Sequence, residues 1–123
     1  MTEKEFWKFL ENSWMRGRAN VVTGGVIDDS DPRIVKTGEY FGGHSLLPAD
    51  YDKIPLKTIQ GMAGLLLRKE GNARTQEAIL IILAHHPSRL ALEALREYVK
   101  SPDKGLEFFS RLALDECEIW NED

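Results

Sequence analysis

Apolar residues recur along this chain at helical spacing in its first sixteen residues and again beyond residue 54, with no helical rhythm between. Phe6, Leu10 and Trp14 follow at four-residue steps with Trp7 beside them, which predicts a helix over Thr2 to Arg16. Thr2-Glu3-Lys4-Glu5 has the form of a capping box at its start. Gly17 is a natural stop. From Arg18 to Lys53 the pattern changes: Val21 to Ile27 and Ile34 to Phe41 read as short β-hairpins. Gly24-Gly25 supplies the first turn, and Asp28, Asp29, Asp31 and Pro32 form a turn cluster between the two. A segment of this length is too long for an inert connector in a small domain and is expected to be either functional or partly mobile.

Pro55 opens a second helical region, since a missing N–H at a helix start removes nothing the helix uses. Ile59, Met62, Ala63, Leu66 and Leu67 form the stripe of helix two, and Gly71 is expected to end it. Asn72 is a natural N-cap for helix three. That helix contains Ala78 to Ala84, apolar on every face. Periodicity alone leaves this run open between buried helix and buried strand. The repeat resolves it. Pro55 recurs as Pro87 and Asn72 as Asp103, so one helix–turn–helix unit is written twice, and the second copy is plainly helical. Helix four is expected from Pro87 to Lys100, with Leu90, Ala91, Ala94, Leu95, Tyr98 and Val99 inward. Helix five is expected after Asp103, with Ser101 as its cap and Leu106, Phe109, Leu112, Ala113 and Cys117 inward. A helix apolar all round needs cover on every side, and the N-terminal helix or the long loop must supply part of it.

The stretch from Ile82 through His85-His86-Pro87 to Pro102-Asp103 resembles a HEAT-like repeat of the short-period bacterial kind found in phycobilisome-lyase-type proteins. Ala91, Ala94, Leu95, Val99, Pro102 and Asp103 carry the likeness. The first copy has Asn72 for the aspartate and Gly71 where the second has Pro102. The resemblance covers the C-terminal half alone. It implies a mainly α fold, an α-α superhelix-like stack of two HEAT-like helix pairs over residues 55–120. Residues 1–17 would be a capping helix and residues 18–54 an irregular or hairpin loop, all within one domain. Stacked helix pairs usually bind rather than catalyse.

Composition narrows this further. The chain has 123 residues, 42% apolar and 29% charged, an ordinary globular balance. Its net charge of −4 disfavours nucleic acid and anionic lipid and suits a basic protein partner. A single cysteine, Cys117, fits a reducing cytoplasm. The acidic Met1 to Phe6 shows no signal peptide. The longest apolar run is too short to span a membrane.

Candidate chemistry is sparse. His85 and His86 point about 100° apart on a helix and so do not form a zinc-binding pair; they read as helix-end histidines. Cys117 lies on an inward stripe and reads as core filler. Asp28 to Asp31 lacks the glycine that a calcium loop needs, because Ile34 stands in its place. Gly24-Gly25 and Gly42-Gly43 lack the following lysine of a phosphate-binding loop. The segment Tyr40-Phe41-Gly42-Gly43-His44 joins aromatics to glycines and is the expected binding loop, with Tyr40, Phe41 and His44 as its contact residues. Arg74 and Arg111 are the cations on helices three and five that an acidic ligand would meet, set against Glu77, Glu107 and Glu118. The expectation is therefore a non-enzymatic protein-binding module without a cofactor, in its sharper form a small bacterial inhibitor or immunity-type protein. The family resemblance also allows a tetrapyrrole-handling protein, or a HEAT-like binder of nucleic-acid lesions.

Overall fold

The computed structural model describes residues 1–16, 47–48 and 51–121. Five α-helices and one short 3-10 turn, Tyr51–Lys53, make up its regular structure, and no strand occurs among the described residues. The expected hairpins at 21–27 and 34–41 and the turn cluster at 28–32 lie outside them.

Helix α1 spans Glu3–Arg16 and opens with the reciprocal cap its sequence encodes. The Thr2 N–H donates to Glu5 Oε1 at 2.8 Å, and the Glu5 N–H donates to Thr2 Oγ1 at 3.2 Å. Phe6 and Leu10 are fully buried in the common core. Glu3 ties the helix down, accepting from the Asn72 N–H at 2.6 Å and from the Thr75 hydroxyl. Trp7 Nε1–H donates to the same Thr75 hydroxyl at 2.8 Å. Met1 rests on Gly61, where an added Cβ would stand 3.1 Å from the Met1 Cβ, so a glycine permits this close approach.

Helix α2 spans Leu56–Arg68 and buries Ile59, Met62, Ala63, Leu65 and Leu66. Leu65 takes the place expected of Leu67, which is 39% exposed. The helix also ends earlier than Gly71. Lys69 takes the left-handed conformation at φ 57°; its N–H returns to Leu66 O, and the Glu70 N–H returns to Leu65 O. This is the paired closure of a Schellman motif, made here by a lysine. Gly71 serves packing instead: a Cβ there would lie 2.8 Å from Thr75 Cγ2 and 3.0 Å from Gln76 Oε1.

Helix α3 spans Ala73–His85, capped by Asn72 Oδ1, which accepts from the Thr75 N–H at 2.9 Å. Ala78 to Ala84 is helical, and none of these residues is more than 1% exposed. Each large apolar side chain buried there contributes about 1.5–3 kcal/mol, and helix–helix contact on several sides makes that burial possible. Helix α4 spans Arg89–Tyr98, shorter at both ends than Pro87 to Lys100, because Ser88 supplies the cap by accepting from the Ala91 N–H. Leu92 joins its buried face, while Leu90 and Val99 are only half-buried. Helix α5 spans Glu107–Trp120 and begins later than expected. Neither Ser101 nor Asp103 caps it. Asp103 is drawn instead to Tyr98 and Gln76, and the Glu107 carboxylate accepts from the Gly105 N–H at 3.1 Å.

Side-chain ties fix the directions of the helices. Ile54, before α2, meets His86, after α3, while Leu66 near the end of α2 meets Gln76 near the start of α3, so this pair is antiparallel. Lys69 Nζ donates to Ser101 Oγ, which sets the ends of α2 and α4 side by side. His85 meets Glu116 at the matching ends of α3 and α5. Thus α2 and α4 run parallel in one layer, α3 and α5 run parallel in the other, and each helix packs on its counterpart. The sequence repeat is therefore also a spatial one.

Candidate functional site

The polar side chains buried in this stack are engaged in holding it together. His86 is 4% exposed; its Nε2 faces Ile54 O at 2.9 Å and its Nδ1 faces Ser88 Oγ at 2.8 Å. One neutral tautomer satisfies both contacts, with Nε2–H donating and Nδ1 accepting from the serine. His85 turns elsewhere: Nδ1 faces Ile81 O at 2.8 Å and Nε2 faces Glu116 Oε2 at 3.0 Å. The rings of Tyr51 and Trp120 flank it at centroid distances of 5.7 and 6.4 Å. The two histidines thus diverge, His85 closing α3 and His86 following it with extended backbone rather than on the helix.

A second cluster joins the two copies of the repeat. Tyr98 OH donates to Asp103 Oδ2 at 2.6 Å, the Asp103 N–H donates back to the phenol oxygen at 3.0 Å, and Gln76 Nε2 donates to Asp103 Oδ2 at 2.8 Å and to Leu66 O at 3.1 Å. Burial, reinforced by Asp103, pushes the Tyr98 phenol well above its usual range. Cys117 is fully buried, and burial pushes its thiol up to about 11, which suits a space-filler rather than a nucleophile. Asn121 Nδ2 donates across to His86 O and back to Cys117 O of α5 itself.

Two features face outward. The first is a groove of about 530 Å³ between the N-terminal ends of the parallel helices α2 and α4. Ile54, Leu56, Pro87 and Leu90 form its apolar walls, with Lys53 and Arg89 among its charged residues. Leu56 is 58% exposed. The second is the outer side of α5. Phe109, Ala113 and Cys117 of this helix face the core, whereas Phe108 and Ile119 are exposed, the latter at 69%, and Leu112 is half-buried. Trp120 is exposed beside them. Acidic residues accompany these side chains: α5 carries Glu107, Asp115, Glu116 and Glu118 against Arg111.

The residues singled out in the sequence fall differently. Tyr40, Phe41 and His44 lie outside the described residues. Arg74 is exposed on the first turn of α3, and Arg111 is exposed on α5. Neither lines the groove. The exposed apolar residues of α5 went unnoticed because the inward stripe of the same helix was the stronger pattern. Their signal is legible all the same: Phe109, Ala113 and Cys117 set the inward stripe, and Phe108, about 100° from Phe109, falls off it.

Among the described residues no helix is long and apolar enough to cross a membrane, and no group of three or more His, Cys, Asp or Glu side chains is placed to hold a metal ion. No protein-family model matches the chain, and neither a curated protein nor a solved structure matches it.

Proposed function

We propose that the chain is a non-enzymatic protein-binding module built on two HEAT-like helix pairs, with the small inhibitor or immunity-type protein as the sharper form of that reading. The observation that carries it is a division of labour among side chains. His85, His86, Gln76, Asp103 and Cys117 are engaged inside the frame. Meanwhile the large apolar side chains of Leu56, Leu67, Phe108, Ile119 and Trp120 stand outside it. Single exposed apolar residues are ordinary, but several gathered on one helix of a rigid scaffold favour association. Parallel packed helices hold such side chains in place before a partner arrives, which lowers the ordering cost of binding.

The test is affinity isolation of the full chain from the cells that produce it, followed by size-exclusion chromatography of the recovered material. The expected result is a stoichiometric complex with one other protein. A chain that elutes alone at every concentration and salt would overturn the proposal.

A further inference from the structure

We propose that the outward face of α5 seats a basic amphipathic helix of the partner protein; this rests on reading the chain as a protein-binding module. At about 100° per residue, with Phe108 taken as the origin, Leu112 lies near 40°, Asp115 near −20° and Ile119 near 20°. The four fall within an arc of about 60° on the side away from Ala113 and Cys117, with Leu112 at its inner edge, half-buried against the core. They form a straight stripe along α5 whose ends are eleven residues apart, about 16 Å at 1.5 Å per residue. A partner helix of three turns spans that length, and ridges of this spacing pack against another helix rather than against an extended strand.

Charge complementarity selects the occupant. Asp115 sits inside the stripe between Leu112 and Ile119, so any apolar partner laid along it also encloses this carboxylate. An enclosed, unpaired carboxylate is strongly unfavourable. The partner must therefore bring a lysine or arginine into register with Asp115, with apolar residues one turn to either side. Glu107 and Glu118 extend the negative field along one flank, moderated by Arg111 there and by Arg96, which lies 3.6 Å from Glu118. A second copy of this face would set Asp115 against its own acidic stripe, and an anionic membrane would meet the same repulsion.

The experiment places p-benzoylphenylalanine at Ile119, and separately at Leu56 on the groove, in the full chain. After irradiation in the producing cells, the attached peptide is sequenced. The expected result is an adduct from position 119 to a segment with lysine or arginine between apolar residues at helical spacing. A synthetic peptide of that segment should then bind the purified chain. Asp115→Arg should weaken this binding at least tenfold, while the variant melts like the wild type, and added salt should weaken the wild-type complex. Adducts from position 119 to an acidic segment, to lipid or to a second copy would overturn the inference, as would equal affinity for Asp115→Arg. Adducts from position 56 alone would overturn it and leave the module reading standing. No protein adduct from either position, joined to a chain that always elutes alone, would remove both.

Discussion

Replacing Tyr98 by phenylalanine removes one oxygen atom from the junction between the two repeats. The side chain is 1% exposed, and its hydroxyl both donates to Asp103 Oδ2 and accepts from the Asp103 N–H. Phenylalanine fills the same ring volume, so no cavity opens and the loss is polar. A hydrogen bond to a charged group contributes roughly 1.5–3 kcal/mol. Asp103 is half-buried and keeps Gln76 as a donor, so water and Gln76 recover part of the loss. The expected destabilisation is about 2 kcal/mol, a large share of a typical stability of ~5–15 kcal/mol. For a chain of this size that corresponds to a fall of roughly 8 °C in Tm. Urea unfolding followed by circular dichroism should show a lower midpoint with an unchanged slope. A double-mutant cycle with Asp103→Asn should give a coupling of about 1 kcal/mol. The alkaline limb adds an independent reading. Because the phenol is held above its usual range, its contribution is complete below the unfolded-state value of about 10 and is lost as pH rises above it. Wild type should therefore lose stability more steeply above about pH 10 than Tyr98→Phe does. A variant within about 0.5 kcal/mol of wild type, with a parallel alkaline limb, would show that the cluster is incidental to the junction.

Two further outcomes follow from other parts of the frame. Glu3 is held below the usual carboxylate range by the Thr75 hydroxyl and then by the Asn72 N–H, so its contribution is present above the unfolded value of about 4.3 and is lost as pH falls through the lower folded value. Melting temperatures across the acid range should accordingly fall less steeply for Glu3→Gln than for wild type, and parallel curves would refute the tether between α1 and α3. Cys117, fully buried and with its thiol raised to about 11, should react with a disulfide reagent at pH 8 only at the rate of unfolding. Fast labelling of the native chain, independent of added denaturant, would contradict its place in the core.

The helices were legible because their signals are local or strictly periodic. The capping box at Thr2 and the cap at Asn72 depend on residues three apart, and the burial of α3 is visible in its composition. What stayed hidden depends on contacts across the fold. Gly71 looks like a helix stop, yet the left-handed residue is Lys69, and only the approach of Thr75 and Gln76 explains the glycine. Asp103 is the repeat counterpart of Asn72, yet it does not cap its helix. The difference is Tyr98, whose hydroxyl claims the carboxylate and moves the start of α5 to Glu107. The groove was beyond reach for a similar reason: Ile54 and His86 are 32 residues apart and become neighbours only when one repeat is laid on the other.

That same 32-residue relation explains where a binding face can arise. Lys69 and Ser101 are also 32 apart, so the layer of α2 and α4 is tied at both ends, at Ile54–His86 and at Lys69–Ser101. With the register fixed at both ends, α3 and α5 are held side by side, and burial of α3 depends on α5 lying against it. On the other side of α5, Phe108, Asp115 and Ile119 stay exposed and Leu112 is half-buried against the core. A helix placed there for solubility alone would carry polar residues along that line. Phe108 and Ile119 depart from that rule, and Asp115 between them would need a cation in register once a partner covered it. On α5 the departure lies along one face, the pattern expected when association rather than folding selects the side chains.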